Sequence, residues 1–248
     1  MHWALLFVHG VLILSVATAD AGKVKFVTSL FRHGDRAPLT RLPNDDLNTP
    51  DSWPLGLGQL TKLGAEQHRR LGAKLRHEFA DSLDLFGEDG LYDHRRLRVE
   101  SSDVDRCLMS AQALLSTLYV PPADDTVDEA FSWRPLPVHS SPLGFDRVFR
   151  GTSSRTCPRW PKRLTAVRNR RVFAELFDQP EWQRVAQKVS KATGMEVNVF
   201  TAFAIHDTLL VQQVHKRTHP GGLTDQDVED LYPLAQASYN SFFADLML

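Results

Sequence analysis

The chain opens on an apolar run, Trp3 to Ala17, broken only by His9, Gly10 and Ser15 and ending in small residues. Ala17-Thr18-Ala19 and Ala19-Asp20-Ala21 both fit a cleavage site, so the run predicts a secretory signal peptide over residues 1–21. Its positive end holds only His2 and the amino terminus, which leaves an uncleaved anchor as the alternative. Val24, Phe26, Val27, Leu30 and Phe31 then form a short buried-strand run, and Gly34 and Pro38 turn the chain. Thr61 caps a helix in which Leu63, Leu71, Leu75 and Phe79 recur at multiples of four, with Arg69, Arg70, Lys74 and Arg76 off that stripe. Leu97 to Val99 predicts a second strand, and Ser101-Ser102-Asp103 supplies N-cap candidates for a second helix. There Val104, Leu108, Ala111, Leu115 and Leu118 share one face until Pro121-Pro122 stops it.

This strand-helix alternation predicts an α/β fold over residues 22–144. From Trp133 it breaks down, at Pro135, Pro137, Pro142 and Gly151-Thr152-Ser153-Ser154. Trp182, Val185, Ala186 and Val189 mark a helix after Pro180 that Gly194 ends. Phe200, Phe203, Leu210 and Val214 mark another before Pro220-Gly221-Gly222, so residues 145–248 read as a smaller, mainly helical domain.

Twenty-nine basic residues against thirty acidic give a net charge of -1, which offers no general field for nucleic acid or an anionic membrane. Any attraction for phosphate must be local. With 42% hydrophobic residues the chain can bury a substantial core, and no segment after the first suffices for a membrane span. Cys107 and Cys157 are too few and too far apart in sequence to specify a bridge.

The chemistry concentrates in Arg32-His33-Gly34-Asp35-Arg36-Ala37-Pro38, at the end of the first strand run. Arg32 and Arg36 flank His33 with permanently charged planar forks that match phosphate oxygens, so the segment holds a phosphoryl group against an imidazole nitrogen. The carboxyl ends of strands in open α/β sheets are where ligands bind. Arg106, in the first turn of the second helix, would meet an anion with help from the helix dipole. Imidazole is uncharged only above a pKa of about 6.5 unless its site shifts it. Attack at acid pH therefore needs one nitrogen kept unprotonated while the other donates to a fixed acceptor that the sequence does not name.

The segment from Arg32 to Pro38 resembles the signature of the histidine acid phosphatases, a branch of the histidine phosphatase superfamily. Ser102-Asp103-Val104-Asp105-Arg106, followed by Leu108-Met109-Ser110-Ala111, resembles the segment carrying that family's third phosphate-binding arginine. Glu100 departs from it, standing where the family commonly has arginine. The resemblance implies His33 as the nucleophile that becomes phosphorylated, and Arg32, Arg36 and Arg106 as the clamp on the phosphate oxygens. No metal or cofactor is then required, because three guanidiniums can supply the charge stabilisation. It also implies a central, mainly parallel sheet flanked by helices beside a smaller helical domain, and admits a homodimer. Cys157-Pro158-Arg159 resembles a family segment whose cysteine is bridged to a residue far toward the carboxyl terminus.

The family's general acid is an aspartate in a His-Asp pair after a later strand. His206-Asp207 is the one such dipeptide here, yet the helical period runs through it into Leu210 and Val214, and its surroundings resemble a helical-domain segment. The expectation is therefore a partial fold that ends before the catalytic pair and lacks the C-terminal part of the sheet. The function expected is hydrolysis of small phosphomonoesters, impaired by loss of the acid, in a secreted or lysosomal protein. The alternative is a secreted protein that binds phosphate ligands with little turnover. A phytase or a mutase of the same superfamily fits less well, because Asp35 and the Asp-Val-Asp-Arg words look more like the acid phosphatases.

Overall fold

The computed structural model of the protein describes residues 19–20, 23–24, 26–83, 85–86, 92–127, 132–149, 155–168 and 175–243. The apolar run of the expected signal peptide and the Gly151–Ser154 segment lie outside the described residues. The chain forms two compact units, one of residues up to Asp35 with Leu60–Leu143, the other of Arg36–Gln59 with Gly144 onward.

In the first unit, β1 (Ala19–Asp20) pairs antiparallel with β2 (Lys23–Val24). Residues 26–35 run on without forming a ladder. Of the apolar residues expected in a strand there, Phe31 packs on the core while Phe26 is 59% exposed. Helix α1 (Lys62–Arg76) begins at Thr61, whose hydroxyl accepts the Gly64 N–H at 3.1 Å. It packs against α2 (Asp105–Leu118). The second ladder begins three residues later than the apolar pattern predicts. β3 (Glu100–Ser102) pairs in parallel with β4 (His139–Ser141), and Leu97 and Val99 pack on the core instead. The N-cap of α2 is Val104 in extended geometry, not one of the three polar candidates before it.

The two helices touch through backbone. A Cβ at Gly72 would overlap the Leu114 carbonyl oxygen and lie 2.5 Å from the Thr117 hydroxyl. Glycine is what permits this approach. Thr117 donates to the Arg69 carbonyl at 2.6 Å, and Arg76 reaches across to the Leu118 carbonyl at 3.0 Å, satisfying the end of α2. Beneath them lie Leu75, Phe86, Leu114, Leu115, Leu118, Tyr119 and Leu136. The buried face of α1 runs through Gly64, His68, Gly72 and Leu75, whereas Leu63, placed by its period on the apolar stripe, is 41% exposed.

The second unit is helical: α3 (Trp160–Arg168), α4 (Pro180–Thr193), α5 (Ala202–Val214) and α6 (Asp225–Phe243). Pro180 opens α4 and Gly194, left-handed at φ 74°, closes it, as the sequence predicts. Helices α3, α4 and α5 each pack on α6. Leu42, Val189, Ile205, Leu209, Val228, Leu231 and Leu234 fill the core. The face of α5 differs from the one predicted: Leu210 and Val214 point outward, while Thr208 and Gln212 are buried. Hydrogen bonds make that inversion affordable, since Thr208 donates to the Ala204 carbonyl at 3.0 Å and Gln212 to the Asp45 carboxylate at 2.6 Å. No helix among the described residues is long and apolar enough to cross a membrane.

Gly72→Ala is expected to destabilise the chain by up to about 2 kcal/mol, because overpacking of about 1–3 kcal/mol against the α2 backbone outweighs the roughly 1 kcal/mol that alanine adds to helix propensity. Urea unfolding followed by far-UV circular dichroism measures it, and a stabilised variant would contradict the close packing.

Candidate active site

Residues 32–35 lie against the start of α1 so closely that side chains are excluded at two points. A Cβ at Gly34 would come within 2.7 Å of the Gly64 Cα and overlap its carbonyl oxygen, and one at Gly64 would overlap the Asp35 carbonyl oxygen. The loop is then tied down by hydrogen bonds. The Arg32 carbonyl accepts from His68 Nε2 at 3.1 Å, and the Asp35 N–H donates to Gln67 Oε1 at 2.8 Å. The Asp35 carbonyl accepts from the Thr61 N–H at 3.0 Å, and the Thr61 hydroxyl also meets the Asp35 carboxylate. Helix α2 contributes Ser110, whose Oγ accepts the Gly34 N–H at 3.1 Å and donates to the Arg106 carbonyl at 2.6 Å. One buried hydroxyl thus joins the His33 loop to the helical turn that bears Arg106.

His33 is half-buried, with Nδ1 2.8 Å from the Gly34 carbonyl oxygen. A carbonyl can only accept, so Nδ1 carries a proton, and in the neutral imidazole the lone pair falls on Nε2. This supplies the acceptor that the residue pattern alone leaves unnamed. Arg32 is exposed and Arg106 half-buried in the first turn of α2, where no side chain caps the helix. Glu100, the position at odds with the family pattern, is met by its neighbour Arg98 at 2.6 Å, so its charge is offset locally.

Arg36 belongs to the second unit and is almost wholly buried. One of its terminal nitrogens donates to both Asp207 oxygens, at 2.8 and 2.9 Å, and the other to the Ala37 carbonyl at 3.2 Å. Its Nε is buried without a hydrogen-bond partner. The His206-Asp207 pair lies inside α5, as the helical period predicts, and not at a strand end. Burial holds His206 below the usual imidazole range against the raising effect of Asp207. Burial does the same to His68, against the raising effect of its bond to Arg32. Both cysteines are free thiols. Among the described residues no group of histidines, cysteines and carboxylates could hold a metal ion.

Gln67 and His68 are absent from the residues singled out by sequence, and Ser110 enters there only as one position of a matching segment, without a role. The signal available was a second stripe: beside the leucines of α1, Gly64, His68 and Gly72 also recur at spacings of four, and paired glycines on one face mark a contact between backbones.

The first unit thus fixes an Arg-His-Gly loop on one helix, beside a second helix bearing an arginine in its first turn. A model of the histidine phosphatase superfamily, branch 2, matches residues 23–242, and the chain belongs to that family. It is 32% identical to bovine lysosomal acid phosphatase over 242 residues, 94% of this chain and 53% of that protein. With human prostatic acid phosphatase the identity is 33% over 225 residues, 90% of this chain and 56% of that protein. The chain therefore spans about half the length of the curated relatives it matches. Among solved structures, Hafnia alvei phytase superposes with a TM-score of 0.56 at 15% identity, covering 84% of this chain and 58% of that one. Klebsiella phytase gives 0.56 at 16%, covering 84% and 57%. At such identities these two speak for the fold alone.

Two outcomes test the support of the loop. Ser110→Ala leaves the Gly34 N–H and the Arg106 carbonyl without this partner, and should cost about 1–3 kcal/mol of stability. Denaturant midpoints measure it, and an unchanged midpoint would show that the hydroxyl supports nothing. The lowered pKa values of His68 and His206 mean that the unfolded chain takes up protons first as pH falls below about 6.5. Their contribution is intact above that pH and is lost as pH falls through the folded values. His68→Gln should flatten the decline of the unfolding midpoint below pH 6.5, and an unaltered slope would exclude His68 from it.

Proposed function

We propose that this chain is a phosphomonoester phosphatase working through a phosphohistidine at His33. The observation that carries the reading is the bond from His33 Nδ1 to the Gly34 carbonyl, which directs the lone pair to Nε2. Nε2 forms a bond to phosphorus while the bond from phosphorus to the ester oxygen breaks, and the departing oxygen takes a proton. Water then attacks the phosphohistidine, releasing inorganic phosphate and restoring the imidazole. Arg32 and Arg106 in the first unit and Arg36 in the second are the proposed ligands of the phosphate oxygens. Their fixed charges stabilise the transition state without a metal. Secretion or delivery to the lysosome is the proposed location, in line with the relatives named lysosomal and prostatic acid phosphatases.

Asp207 is not assigned as the acid that protonates the leaving group. It sits mid-helix with both oxygens engaged by Arg36. The same observation favours a second reading, a protein that binds phosphate ligands with little turnover.

Rapid quench with a labelled aryl phosphate should place acid-labile, base-stable phosphate on the peptide containing residues 32–38, and none in His33→Ala. Label retained by that variant refutes the assignment. Alkyl phosphates, whose leaving groups need a proton, should turn over about a hundred- to ten-thousandfold more slowly than aryl ones in this 248-residue chain. Asp207→Asn should leave that ratio unchanged; wild-type alkyl hydrolysis abolished by it would make Asp207 the acid. Binding of inorganic phosphate with no trapped label would select the second reading.

A further inference from the structure

The whole-chain balance of -1 conceals a strong local segregation of charge. Between Phe145 and Arg171 stand nine lysines and arginines and a single acid, Asp146. That acid does not offset them at the surface. It is buried, and its Oδ1 accepts the backbone N–H groups of Val148 and Phe149 at 3.0 and 2.8 Å, building a turn that leaves Arg147, Val148 and Phe149 exposed. Arg155, Arg159, Lys162 and Arg163 are exposed as well, and among the described residues none of these five cations is paired with a carboxylate. Lys162 and Arg163 project from α3, which packs on α6. Arg155 lies over the Phe145 ring at 4.7 Å, so a cation and an aromatic face share one exposed position.

We infer that this stretch of the second unit, residues 145–149 and 155–163, is a docking surface for an anionic lipid bilayer. Charge complementarity selects an anionic partner, and the apolar tips select a membrane over a soluble polyanion. Val148 is 72% exposed and Phe145 61%, and a dissolved polyanion would meet the guanidiniums while leaving those side chains in water. The headgroup region accepts both at once, cations at the phosphates and apolar tips at the acyl boundary. The surface does not depend on the proposed catalysis.

The test is flotation of the full chain with phosphatidylcholine vesicles, with and without phosphatidylserine. Binding should require phosphatidylserine and weaken steeply with salt. Each cation near such a surface contributes about fivefold to affinity, so Arg159→Gln/Lys162→Gln/Arg163→Gln should weaken binding about a hundredfold. Phe145→Ser/Val148→Ser should weaken it while preserving the salt dependence. The thermal midpoint of each variant checks its folding; if the triple variant does not fold, the salt dependence of the unaltered chain decides. Absent binding to phosphatidylserine, or equal binding to neutral vesicles, overturns the inference. So does binding indifferent to Phe145 and Val148 and abolished by inositol hexakisphosphate, which would identify a soluble polyanion as the occupant.

Discussion

The contact of the Arg32–Asp35 backbone with the first turns of α1 is the constraint on which the rest depends. Two glycines, Gly34 and Gly64, face each other where neither could carry a Cβ, so the loop and the helix meet main chain to main chain. The loop N–H and C=O groups that this contact takes from water need partners there. Thr61, Gln67, His68 and Ser110 supply those partners. The result is a histidine whose backbone is held on both sides and whose ring is oriented by its own neighbour's carbonyl. A side chain held in this way has less orientational freedom to lose when it engages a ligand.

Charge is distributed with equal economy. A buried guanidinium without a counter-charge would be costly, and Arg36 has the Asp207 carboxylate on it at 2.8 Å. Glu100 is matched by Arg98 at the strand edge, and the buried Asp45 carboxylate is satisfied by neutral donors from Asn48 and Gln212. Among the described residues, the exposed cations Arg159, Lys162 and Arg163 at α3 have no such carboxylate partner.

The two buried histidines illustrate how fold and titration are linked. His68 sits under the loop and His206 under Tyr232, and in both places removal from water disfavours the imidazolium. Both are therefore groups whose neutral form the native state prefers, a preference that acidic surroundings oppose.

The sequence alone was enough for the family, the Arg-His-Gly loop, the Arg106 turn and the positions of four helices, α1, α2, α4 and α5. These rest on local signals: adjacent residues, caps such as Thr61, and stops such as Gly194. It also placed His206-Asp207 within a helix, since a 3.6-residue period is a property of one segment. Tertiary structure decided which helix face is buried, because Gly64, His68 and Gly72 on α1 and Thr208 and Gln212 on α5 become interior only when a particular neighbour supplies close backbone or hydrogen bonds. It decided likewise that Ser110 links two elements, that Gly34 is the acceptor for His33, and that Arg36 meets Asp207, 171 residues away. No periodicity encodes such pairs, for a hydrogen bond between distant residues exists only once the chain between them has folded.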